Sequence, residues 1–210
     1  AYALMAGAAM HVNDHSAALP LLEKAVEIQP KLTRNRLNLA AANVGLGRFT
    51  VAEPILVDIL AEKPKFPIAH FHLGLLYEEQ GRVDEAMAAY AKELELYPDS
   101  VMARFNLGNL YFRLGDLEAA ESEMRTLIDE ASDKPKPYLV LARVLLKQER
   151  ELTEVEHFAR AGLDRAEADD LKVLGYYLLA DVYSRQGRQA ELDQVLERAQ
   201  YYRSRIEGAG

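Results

Sequence analysis

The 210-residue chain has no cysteine and no tryptophan. Without cysteine there is no disulfide framework, no thiolate nucleophile and no sulfur-ligated metal. Long uncharged apolar runs are also lacking: no stretch approaches the roughly 18 such residues that a membrane helix needs, so no membrane insertion is expected. Positive charge is in short supply, with 25 Lys+Arg against 33 Asp+Glu and a formal net charge of -8. A nucleic-acid sleeve needs an excess of Lys and Arg to neutralise phosphates, so nucleic acid is not an expected partner. Neither a Gly-rich phosphate loop nor a Gly-x-Ser-x-Gly elbow is found. The first residue is not Met and no basic leader precedes the first apolar stretch, so the chain is expected to be a piece of a longer protein. What is abundant is apolar content, 50% of all residues, which is too much for a disordered chain.

That apolar content is periodic. Pro30, Pro64 and Pro98 each follow a helical run and stand 34 residues apart, as do Gly47, Gly81 and Gly115. The phrases Asn38-Leu39-Ala40, His72-Leu73-Gly74 and Asn106-Leu107-Gly108 share the interval. One copy reads His70, Leu73, Gly74, Tyr77, Ala86, Tyr90, Pro98; the next reads Arg104, Leu107, Gly108, Tyr111, Ala120, Met124, with Ser132 in the proline position. Leu73 and Tyr77, four apart, share one face of a helix A. Gly74 and Ala86 remove bulk where helices A and B meet. Asp84 and Glu85 favour the positive N-terminus of helix B, and Pro98 ends it. Pro67 and Pro135 are expected in the first turn of an A helix, and Pro20 and Pro54 near the start of B helices, where a missing N–H costs little.

A helix–turn–helix unit of this length with these residues resembles the tetratricopeptide repeat. The resemblance implies an all-α, right-handed solenoid of six repeats and twelve helices, one domain over residues 1–210. The repeats are 1–32, 33–66, 67–100, 101–134, 135–172 and 173–206. The fifth fits through Tyr138, Leu141, Ala142, Val155, Ala159 and Leu163 only with an insertion. The sixth carries Tyr176, Leu179, Ala180, Tyr183, Gly187, Leu192, Leu196 and Ala199. Since no single repeat buries its own apolar face, the core is made by stacking.

Function follows from the resemblance as a non-catalytic scaffold for protein–protein interaction, holding a peptide or protein segment in a groove lined by A helices. The candidate groove residues are Asn38, Phe71, His72, Leu75, Met102, Phe105, Asn106, Asn109, Phe112, Arg113, Lys136 and Arg143. Asn38, His72 and Asn106 form a polar row similar to the asparagine ladder of a protein-modifying glycosyltransferase, broken at Val140 and Leu178. The carboxylate clamp of chaperone-tail-binding members is missing, since only Asn106 and Lys136 match its pattern. Residues 135–210 carry 12 basic and 13 acidic residues against 13 and 20 in 1–134, and Arg113, Lys136, Arg143 and Lys147 make groove positions there basic.

No cofactor, metal or enzymatic centre is expected. His11 and His15 have helical ligand spacing but fall on either side of a turn. Glu78-Glu79 and Asp169-Asp170 read as solvated pairs, and Tyr201-Tyr202 as the packing of a last helix. Two alternatives stand beside the scaffold: an oligomerisation or assembly module, and an accessory region of a larger bacterial enzyme such as a sulfatase or glycosyltransferase. Residues Tyr2–Val12 hold no Lys, Arg or acid and place apolar side chains on several sides. A helix of that kind is normally buried all round, so an upstream element, or self-association through the N-terminal helix, is expected there.

Overall fold

One residue with a left-handed backbone closes the turn inside each helical hairpin: Asn13, Gly47, Gly81, Gly115, Glu149 and Gly187. Each turn is sealed by the same pair of backbone bonds. The left-handed residue donates to the carbonyl three before it and the next residue to the carbonyl five before it, as in Gly81→Glu78 at 3.0 Å with Arg82→Tyr77 at 2.8 Å. This is the Schellman closure of a helix C-terminus, which asks for a residue free of Cβ conflict. Asparagine tolerates the conformation; Glu149 adopts it with the same bonds, donating to Leu146 at 3.2 Å while Arg150 donates to Leu145 at 3.0 Å.

The computed structural model describes residues 1–208, and among them the regular structure is twelve α-helices with no strand. The fold class is all-α, as the repeat implies. The chain groups into two compact units, which divide after Ala103.

The first unit contains α1 (Tyr2–His11), α2 (His15–Ile28), α3 (Thr33–Gly45), α4 (Phe49–Glu62), α5 (Ala69–Glu79), α6 (Val83–Leu96) and the first residues of α7 (Val101–Leu114). Each helix from α1 to α5 packs on the next, and the A helices α3 and α5 also touch. Asp14 caps α2, accepting from the Ala17 N–H at 2.9 Å. The core joins Leu37, Ala40 and Val44 of α3 to Leu56 and Ile59 of α4 and to Leu73 and Leu76 of α5. Burying Leu56, Ile59 and Leu76 completely contributes about 1.5–3 kcal/mol each. Gly74 does what its place in the motif requires: a Cβ there would stand 2.4 Å from the ring of fully buried Tyr90.

Two proline expectations are corrected. Pro20 and Pro54 lie inside α2 and α4, each the sixth residue of its helix, where an N–H would normally bond to the carbonyl four back. Those carbonyls belong to exposed Ser16 and Thr50, so water can replace the missing donor. Pro67 precedes α5 rather than opening it, because Ile68 is left-handed at φ 68°. Buried Glu93 of α6 compensates: its carboxylate accepts from the Ile68 N–H at 2.8 Å and the Phe71 N–H at 3.3 Å.

The second unit contains the rest of α7, α8 (Leu117–Glu130), α9 (Pro135–Lys147), α10 (Leu152–Arg165), α11 (Asp169–Gln186) and α12 (Gln189–Glu207). Pro135 does open α9. The core centres on α9, where Leu139, Leu141, Val144 and Leu145 are fully buried against Met124, Leu127, Val182 and Tyr183. The fifth-repeat insertion is resolved into two parts. Its turn is the longest among the described hairpins, and α11 starts at Asp169, ahead of the expected sixth-repeat boundary at 173, running 18 residues. Asp169 pairs with Arg205 at 3.1 Å and stands at the positive end of α11, and Tyr202 stacks on Tyr176 at 5.9 Å.

One side-chain arrangement occurs in both units. Arg82 lies 4.1 Å from the Tyr77 ring, bonds Gln80 at 2.9 Å, and pairs with Glu85 and, at 2.9 Å, with Glu53 of the preceding hairpin. Arg188 repeats this on Tyr183 at 4.2 Å, Gln186 at 2.9 Å, Glu191 at 3.0 Å and Glu156 of its preceding hairpin at 2.7 Å. The shared sequence is Tyr-x-x-Gln-Gly-Arg-x-x-Glu. It fastens each turn to the hairpin before it, and a search for that spacing would have found both copies.

Candidate functional site

The first unit holds a groove of about 570 Å³. Its apolar lining comes from Met10, Ala41, Val44, Phe49, Leu75 and Met102, and its polar groups are Asn13, His15, His72 and Glu79. The A helices α1, α3, α5 and α7 supply Met10, Ala41, Val44, Gly45, His72, Leu75, Glu79 and Met102, and the first two turns with the helix starts behind them supply Asn13, His15, Gly47 and Phe49. Gly45 is needed for this packing, since a Cβ would meet the His15 ring at 2.4 Å. The His15 Nδ1 in turn lies 3.3 Å from the Met10 sulfur. His72 has a buried Nδ1 without a hydrogen-bond partner, and burial pushes its pKa down to about 4. The ring is therefore neutral at pH 7, with a polar atom unsatisfied by the protein.

Of the sequence-derived groove residues in this unit, His72, Leu75 and Met102 meet here. Phe71 does not: at 6% exposure it packs against Tyr90, ring centroids 6.1 Å apart, because its position turns towards helix B. Asn38 is half-buried and lies outside the groove lining. Sequence reasoning missed Asn13 and Gly47 of the turns and His15 and Phe49, the first residues of α2 and α4. Gly45 was the available signal, a second glycine beside Gly47 with no turn of its own to make.

In the second unit a depression of about 330 Å³ is lined by Phe112, Arg143, Leu146, Lys147, Leu178 and Arg185. Phe112 and Arg143 were expected at a groove; the Arg143 guanidinium lies 4.8 Å from the Phe112 ring. Phe105 is drawn into the side of the core instead. Asn106 and Asn109 are half-buried on α7, while Arg113 and Lys136 are exposed near helix ends; none of the four lines the depression.

Among the described residues no group of three or more His, Cys, Asp and Glu is placed to hold a metal ion, and no helix is long and apolar enough to cross a membrane. The adjacent acids have structural employment: Glu78 accepts the Tyr90 hydroxyl at 2.8 Å.

Two family models, both described as tetratricopeptide repeat, match residues 37–101 and 77–144. The chain belongs to the tetratricopeptide repeat family. A small glutamine-rich tetratricopeptide repeat-containing protein 2 of Mycosarcoma maydis is 33% identical over 92 residues, 44% of this chain and only 26% of that protein. Among solved tetratricopeptide-like structures, PilW, a type IV pilus biogenesis factor, matches with a TM-score of 0.78 at 20% identity, covering 95% of this chain and 91% of its own. The pilF protein of Pseudomonas aeruginosa gives 0.77 at 17%, covering 97% and 96%. A thermophilic repeat protein of Thermus thermophilus gives 0.70 at 21%, covering 83% and 95%. At such identities the likeness is one of fold. Tetratricopeptide repeats serve protein–protein interaction or assembly, and that is the level at which the family fixes a role.

Proposed function

We propose that the chain is a non-catalytic scaffold that holds a segment of a partner protein. The observation that carries this is the first-unit groove, an apolar trough with one unsatisfied imidazole. A partner backbone or side chain can complete the hydrogen bonding of His72, and apolar side chains can cover Leu75 and Met102. Apolar grooves with a few convergent polar groups are the usual form of such sites. Peptides selected from a random library on the intact chain provide the test. Binding is expected to be lost in Leu75→Arg with Ala41→Glu and retained in Lys92→Ala on the exposed side of α6. Selected peptides that ignore the groove substitutions would overturn the reading.

A second reading, assembly of like chains, draws on α1. Leu4 and Met5 are 81% and 58% exposed on a helix whose only buried residue is Ala6. Sedimentation of the wild type beside Leu4→Lys, Met5→Glu at rising concentration tests it. A wild type that stays monomeric throughout counts against it.

A further inference from the structure

Both cations that α9 presents to Phe112 stand without an acid. Arg143 and Lys147 are one helical turn apart, 4.8 Å and 5.2 Å from the centre of the same ring. Leu146 and Leu178 lie beside them, with Arg185 contributed by α11. Like charges at this spacing repel along a helix, and a helical protein ordinarily alternates them with acids. Arg104, Arg125, Arg150, Arg160, Arg185 and Arg188 of the same unit each pair with a carboxylate. Among the described residues Arg143 and Lys147 have no such pair. Two cations without a carboxylate thus converge on one aromatic ring at this depression, while Arg185 beside them is held by Asp181 and the chain as a whole carries a net charge of -8.

We propose that this depression docks an acidic protein segment, with a side-chain carboxylate between Arg143 and Lys147. An adjoining aliphatic or aromatic side chain lies on Phe112, Leu146 and Leu178. The proposal rests on the reading of the chain as a holder of protein segments and adds a second site with its own chemistry. The Arg143 fork can bond a carboxylate through two N–H groups, while Lys147 supplies a point charge. The Phe112 ring supports both cations before anything binds, so less side-chain freedom is lost on docking. An extended polyanion such as nucleic acid would be repelled by a chain whose net charge is -8, whereas a short acidic segment needs only Arg143 and Lys147.

The test uses the full chain and fluorescence anisotropy with a short labelled peptide alternating Glu with Leu and Phe. Both ends are blocked, so that only side-chain carboxylates are present. A second peptide has Gln for every Glu, a third is wholly neutral and apolar, and a single-stranded oligonucleotide of equal charge completes the set. The Glu peptide is expected to bind with an affinity that falls as salt is added. Arg143→Gln with Lys147→Gln should weaken it about tenfold, as should Gln in the peptide, with helix content unchanged. Lys31→Gln in the first unit, a control for unspecific attraction, should leave binding as it was. Equal binding of the Gln peptide, indifference to the double substitution, or tighter binding of the oligonucleotide would each overturn the proposal. If the apolar peptide binds at Leu75 and the Glu peptide binds nowhere, this inference fails and the broader reading stands. If no peptide binds, both fail.

Discussion

Gly74 and Gly108 occupy the same place in successive repeats and face different neighbours. A Cβ at 74 would strike the Tyr90 ring, which is fully buried and anchored by its hydroxyl on Glu78. At 108 it would meet the Met124 methyl at 2.3 Å, the free end of a flexible side chain, and the Glu123 Cβ at 3.0 Å. Gly74→Ala should therefore cost about 1–3 kcal/mol, while Gly108→Ala should cost less, offset by about 1 kcal/mol of helix propensity. Denaturant midpoints of the two variants check this, and equal losses would contradict it. His72 offers a separate handle. Its folded pKa lies at about 4, below the ordinary 6.5, so the unfolded chain binds a proton there that the folded chain refuses. The neutral ring thus costs nothing to keep above pH 6.5, and stability drains away as pH falls from 6.5 towards 4. His72→Phe should flatten that decline by up to about 3 kcal/mol, measured by urea unfolding at both ends of the window. The motif glycines were legible from period alone. The burial of Phe71 was not, because two adjacent positions on an A helix, 71 and 72, divide between core and groove by about one hundred degrees of rotation.

Helix boundaries followed from the prolines and glycines wherever these fall between elements. Pro30, Pro64 and Pro98 all stand just beyond the caps of α2, α4 and α6. The start of α5 was less legible, because what allows Ile68 its left-handed backbone is Glu93, distant in sequence. That carboxylate does the work of an N-cap that no residue of α5 itself performs. Glu93→Leu should destabilise the chain by about 1–3 kcal/mol by leaving the buried Phe71 N–H and the half-buried Ile68 N–H unpaired. Glu93→Gln keeps one acceptor oxygen and should lose clearly less. Hydrogen exchange of the Phe71 amide reports the same effect locally. If Leu and Gln prove equally benign, the cap carries no weight.

For the molecule as a whole, stability is a sum over neighbours, so unfolding should be broader than in a domain with one shared core. Calorimetry should give a van't Hoff enthalpy below the measured enthalpy; equality of the two would indicate a single cooperative block. The all-α repeat architecture was legible because period, punctuation and small-residue placement agree. The grooves were only half legible: A-helix positions found Leu75, Met102, Phe112 and Arg143, but Asn13, His15, Gly47 and Phe49 come from turns and the helix starts behind them, which an A-helix register does not track. Those turns also bear on how the chain can be lengthened. The left-handed residues recur every 34 residues from Asn13 to Glu149, and then Gly187 follows after 38. The surplus is taken up at one joint, by the longer turn before Leu152 and the longer α11 after it. A foreign loop grafted between Arg150 and Glu151 would leave the bonds to the Leu145 and Leu146 carbonyls intact. The same graft between Gly81 and Arg82 would pull the guanidinium off Tyr77 and cut the tie to Glu53. The fifth turn is thus the place where this scaffold can take on an insert, and the third is where it cannot.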